Sequence, residues 1–211
     1  VRHPVNKVAL LDPTISTNPP TLAAVPPSPA AQPARPPRVL RLHGGRFQLN
    51  ADELPTLGSI TATNLALSFF DYTCRHCRDM HAHLRAIEQM FTGRLAFISL
   101  PMPLDTSCNP MISSTAAAHL HACQYARLAL AVWRTRREVH AEFDDWLFAP
   151  TVPPGVNEAR VKAESLVGAA ALETALRDPW IDQQIQRNIE LYVANARAAG
   201  GTGMPQLVIG N

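Results

Sequence analysis

The residues with the clearest chemistry are Cys74 and Cys77, in the stretch Phe69-Phe70-Asp71-Tyr72-Thr73-Cys74-Arg75-His76-Cys77-Arg78. An apolar run, Leu65 to Phe70, reads as a buried strand delivering a Cys-x-x-Cys that opens a helix. The first cysteine of such a motif sits where the free N–H groups of the helix point outward, and those dipoles stabilise an anion. Arg75, His76 and Arg78 add positive charge beside it. Such surroundings bring a thiol from ~8.5 down to ~3.5–7.5. A thiolate of low pKa is a good leaving group, so a Cys74–Cys77 disulfide is expected to be easily reduced and to oxidise other thiols. Cys77, one turn in, is expected to be the more buried and to attack a mixed disulfide. The implied chemistry is disulfide exchange with other proteins.

Rival chemistries fit less well. A c-type haem site needs His directly after the second cysteine, where Arg78 stands. A zinc site needs two further ligands. His81, His83, His119, His121 and Cys123 are available, but no second Cys-x-x-Cys accompanies them. His81 and His83 are read as the exposed flank of the helix, and His119 and His121 as surface or packing histidines. A static local bridge would need neither flanking cations nor a helix N-terminus.

The elements that must position the pair can be read in order. Residues 1–37 are read as an extended linker crowded with proline, in which only Val8 to Leu11 form an apolar patch. Ordered structure is expected from Arg38, where Leu40, Leu42, Phe47 and Leu49 alternate with polar residues about Gly44-Gly45, a β-hairpin pattern. Leu54 to Thr63 reads as a loop. After the strand and the cysteines, a helix is predicted over 75–91, with Met80, Leu84, Ile87 and Phe91 on its core face. Leu95 to Leu100 is a second buried strand, completing a βαβ unit with a right-handed crossover. Pro101-Met102-Pro103 stops it, and Cys108 follows in a loop. From Ser113 the chain reads as helical. Ala116, Leu120, Cys123, Leu128, Ala131 and Val132 line one long helix. Phe143 to Phe148 form a second and Val161 to Val167 a third, and a fourth starts at Asp178-Pro179. The chain then enters a Gly-x-Pro turn and an apolar, strand-like run, Gly203-Met204-Pro205-Gln206-Leu207-Val208-Ile209.

Bulk properties bound the alternatives. The 211 residues suit one full domain with a helical insertion, and 46% hydrophobic content is ordinary for a folded chain. A net charge of +2 gives no argument for nucleic acid, and the Arg134, Arg136 and Arg137 cluster is read as a solvated helix face. No apolar run approaches the ~20 residues of a membrane span. Val1 is read as a processed end or a boundary, compatible with a preceding leader or membrane anchor. Four cysteines allow three pairings, and proximity favours Cys74 with Cys77 and Cys108 with Cys123.

Phe70-Asp71-Tyr72-Thr73-Cys74-Arg75-His76-Cys77, the helical insertion and Met204-Pro205 together resemble the thioredoxin superfamily, and within it the DsbA-like disulfide oxidoreductases. The resemblance covers residues 38–211. It implies an α/β, thioredoxin-like fold with the helical insertion, about 110–200, between the second core strand and a cis-proline loop. Pro205 would be cis, lying against the active-site sulfur, with Met204 and Pro205 presenting substrate backbone. His76 matches a family histidine that favours the oxidising state, and Arg75 replaces the proline common there. The fold normally continues past the proline loop with a further strand and a closing helix, so that strand and helix are expected to be missing at Asn211.

Leu104-Asp105-Thr106-Ser107-Cys108-Asn109-Pro110 and Ala122-Cys123 add a narrower likeness, to thioredoxin-like domains associated with bacterial vitamin K epoxide reductase homologues. It implies that Cys108 and Cys123 form a second, structural disulfide, with a relay to Cys74 as the alternative. Closing that loop stabilises by ~3 kcal/mol in the chain-entropy model.

The expectation is an extracytoplasmic, periplasmic-type thiol–disulfide oxidoreductase without a cofactor. It would introduce disulfides into cysteine-containing exported proteins through Cys74 and resolve through Cys77. A membrane quinone-linked partner, vitamin K epoxide reductase-like or DsbB-like, would recharge it. The alternatives are an isomerase or reductase using the same residues, and a non-catalytic module binding metal or peptide at the two cysteines.

Overall fold

The two apolar runs meet side by side at the centre of a sheet. In a computed structural model, which describes residues 36–209, β4 (Asn64–Phe70) and β5 (Leu95–Pro101) pair in parallel, with Ala66 opposite Phe97 and Phe70 opposite Pro101. Ala66 to Phe70 and Ala96 to Pro101 are buried, as central strands covered on both faces must be. The linker reading of residues 1–37, with its Val8 to Leu11 patch, falls almost wholly outside the described residues, as does Asn211.

Before β4 lie β1 (Val39–Leu42) and β2 (Phe47–Asn50), an antiparallel hairpin with Leu40 opposite Leu49, and β3 (Thr56–Leu57). The hairpin turns through Gly44 and Gly45 at φ +67 and +88, a region that a glycine enters without steric cost. Arg38 ties it to the stretch before β4, its guanidinium donating to the carbonyls of Ile60 at 3.1 Å and Thr63 at 3.0 Å. The stretch read as a loop contains β3, which pairs antiparallel with β5 at Ile98 and Phe97.

After β5 come α2 (Ala122–Thr135), α3 (His140–Phe148), α4 (Val156–Val167), α5 (Ala169–Leu176) and α6 (Pro179–Ala199), then β6 (Gln206–Ile209). The helix between the central strands is α1 (Arg75–Met90). The sheet order is β3-β5-β4-β6, with β6 antiparallel to β4. Strand alternation divides the core. Ala66 and Phe97 pack with Leu57 and Leu84 in a smaller cluster that includes α1. Leu67, Phe69, Ile98 and Leu100 join the larger one with residues of α2 and α6. This is a thioredoxin-like sheet with helices inserted between its second central strand and the proline loop.

The structure corrects several expectations. Phe91 is exposed, so the core face of α1 is Leu84 and Cys77 with half-buried Met80 and Ile87. Val161 is likewise exposed, and α4 packs instead through Ala159, Ala163 and Leu166. The long helix begins at Ala122 rather than near Ser113. His121 sits at φ +69, ψ +9, a left-handed conformation that an L-residue cannot hold within a right-handed helix. Leu120 is therefore exposed and Ala116 lies outside the helix. Asp178 caps α6 as expected, accepting the Trp180 N–H at 2.9 Å. The arginine cluster is exposed, as expected, and its side chains are also engaged. Arg134 pairs with Asp178 at 2.8 Å and covers the Trp180 ring, Arg136 donates to the Leu166 carbonyl, and Arg137 donates to the Asp52 carbonyl at 2.7 Å.

Candidate active site

β4 ends at Phe70, and four residues later Cys74 takes the N-cap of α1, with extended backbone at φ −80, ψ 123. Its sulfur therefore faces the free N–H groups of the first turn and accepts the Cys77 N–H at 3.4 Å. Both thiols are free. Cys74 is 7% exposed and Cys77, one turn in, 1%.

The two sulfurs are electrically unequal. The Cys74 thiol is lowered from the ordinary thiol range to about 6, chiefly by the hydrogen bond with the Cys77 thiol. The backbone N–H groups of Cys77 and His76 act in the same direction, while burial and the Asp71 carboxylate oppose them. Cys77 is pushed up, because its proton is held in that hydrogen bond and because it is buried. Its one lowering contact is the Asp71 N–H, 3.4 Å from Cys77 Sγ. The flanking cations are secondary. Arg75 and His76 are exposed. Arg78 turns toward α3 and donates from Nε to the Phe148 carbonyl at 3.1 Å, although both thiols still act on its charge.

The Met204–Pro205 peptide is cis. Gln206 pairs with Phe69, so the antiparallel register brings Pro205 to the end of β4 from which Cys74 emerges. Helix α6 holds this loop. The Tyr192 hydroxyl donates to the Thr202 and Gly203 carbonyls, and Asn195 donates to the Gln206 side chain at 2.7 Å. Met204 and Pro205 are half-buried. Cys108 and Cys123 are joined in a disulfide with a Cα–Cα distance of 5.9 Å, tying the loop after β5 to the first turn of α2.

Several residues at the site carried no expectation. Tyr72 is buried and donates to Asp144 Oδ1 at 2.5 Å, and His140 Nδ1 lies 3.6 Å from Asp144 Oδ2. Burial holds the His140 imidazole below its ordinary value and pushes the Tyr72 hydroxyl up. Phe70, Tyr72 and Phe148 form a ring cluster with centroids 5.0–5.5 Å apart. His81 is not on an exposed flank, since it stacks on Phe148 at 4.5 Å and pairs with Asp145 at 2.8 Å. Together these contacts fix α3 against α1 and the strand end. His119 is not a plain surface histidine either, because its Nδ1 lies 2.8 Å from the Thr73 hydroxyl. The signal for these residues was the polar run Asp71-Tyr72-Thr73 directly after a buried strand. Polar groups there need partners, which come from 33 to 72 residues away.

Among the described residues no group of three or more His, Cys, Asp or Glu is placed to hold a metal ion, and no helix is long and apolar enough to cross a membrane.

Solved structures share this fold. ScsC of Proteus mirabilis in a transitional conformation is 22% identical with a TM-score of 0.54, covering 75% of this chain and 63% of that one. The chain thus spans less than two thirds of that ScsC chain. The thiol-disulfide exchange protein alpha-DsbA2 of Wolbachia pipientis is 23% identical with a TM-score of 0.55, covering 74% and 76%. A periplasmic thioredoxin-like protein of Salmonella enterica serovar Typhimurium is 22% identical with a TM-score of 0.52, covering 75% and 79%. No curated protein matches the chain. The thioredoxin family profile matches residues 51–211, from the residue after β2 through β4, the two cysteines and the proline loop. The chain belongs to the thioredoxin family.

Proposed function

We propose that this chain is an extracytoplasmic thiol–disulfide oxidoreductase that oxidises cysteine pairs in exported proteins. The observation that carries the reading is the inequality of the two sulfurs. Cys74 is stabilised as a thiolate at about 6, while Cys77 holds its proton beneath it. In the oxidising direction a substrate thiolate attacks Sγ of Cys74 in the Cys74–Cys77 disulfide. That bond breaks, Cys77 takes the electron pair and a proton, and a substrate–Cys74 mixed disulfide forms. The second substrate thiolate then attacks the substrate sulfur and expels Cys74 as a thiolate. The substrate has lost two electrons and the protein dithiol has gained them. A low pKa at the leaving sulfur favours that last step.

Pro205 and Met204, brought by the register to the same sheet end, present substrate backbone to Cys74, and His76 stabilises the thiolate through its N–H. The periplasmic thioredoxin-like protein and the disulfide-exchange protein of like fold support the compartment and the class of reaction. The bonded Cys108–Cys123 pair is also at home in an oxidising compartment. A membrane quinone-linked partner would take the two electrons and recharge the pair.

One observation favours a second reading, a weaker oxidant or an isomerase. A Cys74 value of about 6 lies nearer the ~7 of thioredoxin than the ~3.5 of DsbA, and the Asp71 carboxylate opposes the thiolate. The experiment is exchange with a reduced, cysteine-containing substrate protein. Cys74→Ser is expected to abolish turnover, and Cys77→Ser, offered the disulfide-bonded form of the same substrate, to accumulate the mixed disulfide that forms when its Cys74 thiolate attacks the substrate disulfide and expels one substrate thiolate. Turnover surviving in Cys74→Ser would refute the assigned nucleophile.

A further inference from the structure

A second segment, the stretch between β5 and α2, also reaches the site. The Asp71 carboxylate is 1% exposed. Its Oδ1 accepts the Thr73 N–H at 2.6 Å and the Thr73 hydroxyl, and its Oδ2 accepts the Leu104 N–H at 2.5 Å. All three partners are donors, so both oxygens act as acceptors, which is the role of an ionised carboxylate. The Thr73 hydroxyl is shared with His119 Nδ1 at 2.8 Å. Leu104 and His119 both belong to the segment between β5 and α2. The disulfide joins Cys108, four residues after Leu104, to Cys123, four residues after His119. The second cysteine pair thus ties down the segment that carries both Leu104 and His119.

The carboxylate is placed to matter. Its backbone N–H contacts Cys77 Sγ, and its charge opposes a thiolate at both cysteines. The titratable groups acting with it are Cys74 and Cys77 of α1 and His119 of the loop. Burial makes Asp71 hold a proton more tightly, while Thr73, Leu104 and His119 work to keep it charged.

We propose that His119, acting through Thr73, and the Cys108–Cys123 disulfide, acting through the loop that carries Leu104 and His119, are positioning elements that hold the Asp71 carboxylate beneath the dithiol and thereby set the redox poise of the Cys74–Cys77 pair. The proposal rests on the reading of that pair as an exchange dithiol. Its sign is definite. Burial raises the Asp71 carboxyl overall and the donors pull it back toward its charged form, and that charge opposes the Cys74 thiolate. When a donor is lost, Asp71 keeps its proton to higher pH and the thiolate gains.

The test uses the full 211-residue chain. Thr73→Val, His119→Ala and the double variant Cys108→Ala/Cys123→Ala are compared with wild type by two readouts. These are the pH midpoint of Cys74 alkylation and the equilibrium constant with glutathione. Each variant is expected to lower the alkylation midpoint by roughly one pH unit, and to shift the glutathione equilibrium about tenfold toward the dithiol. Thr73→Ser, which keeps the hydroxyl, is expected to behave as wild type. His119 is half-exposed, so its removal tests the network in a folded chain. Unchanged or raised midpoints in Thr73→Val and His119→Ala would overturn the proposal. A shift in those two with none in the double cysteine variant would remove the disulfide from the device. Alkylation needs no exchange partner. A wild-type pair that fails to equilibrate with glutathione would therefore refute the proposed function, while the midpoints still decide this inference.

Discussion

Both cysteine pairs touch the start of a helix, yet one is free and the other bonded. Cys74 is the N-cap of α1, and its sulfur accepts a first-turn N–H from three residues on, with the partner thiol in the same turn. Cys123 lies one residue inside α2, whose N-cap His121 offers no side-chain cap, and its partner is 15 residues back in a loop. A helix N-terminus alone thus does not make a reactive sulfur. The cap position and a proton-sharing partner one turn away do so at α1. At α2 the same residue type closes a loop.

The contrast can be broken at several levels. Removing the second pair, as Cys108→Ala/Cys123→Ala, is expected to cost ~3 kcal/mol in denaturant unfolding, because it frees a closed loop in the unfolded chain. A loss near zero would leave that disulfide without its structural role. A pH series without any mutation comes next. Cys74 alkylation is expected to be at its plateau well above pH 6 and to fall as pH drops through about 6, because the reactive thiolate is lost on protonation. Two units lower, the rate should be down roughly a hundredfold. A midpoint near the ordinary thiol value would mean that the cap geometry does not stabilise the anion. The smallest expected effect is that of Tyr72→Phe, which leaves Asp144 buried without its hydroxyl donor and should destabilise by ~1–2 kcal/mol. Its measure is the unfolding midpoint of the variant, and no shift would mean that His140 and solvent satisfy Asp144 unaided.

Much of this arrangement was legible from residue order alone. A buried strand, a Cys-x-x-Cys, a helix and a second buried strand declare themselves by apolar runs and periodicity. Pro205 declares itself by its place before an apolar run. What stayed hidden has physical reasons. Strand β3 is two residues long, too short to show any period. The helical pattern through Ala116 and Leu120 was overridden by the left-handed turn at His121, next to the bonded Cys123. Arg136 and Arg137 bind backbone carbonyls, which no charge pattern reveals. The roles of Asp71, Tyr72 and Thr73 depend on Leu104, Asp144 and His119, and only the folded chain brings those partners together.

The measurement that tests the central claim most directly is the reduction potential of the Cys74–Cys77 pair, by equilibration with glutathione with alkylation identifying the responding cysteines. An oxidising pair should lie well above the ~ −270 mV of thioredoxin, toward the ~ −120 mV of DsbA. A value at or below ~ −270 mV would contradict the oxidase reading and make the chain a reductase.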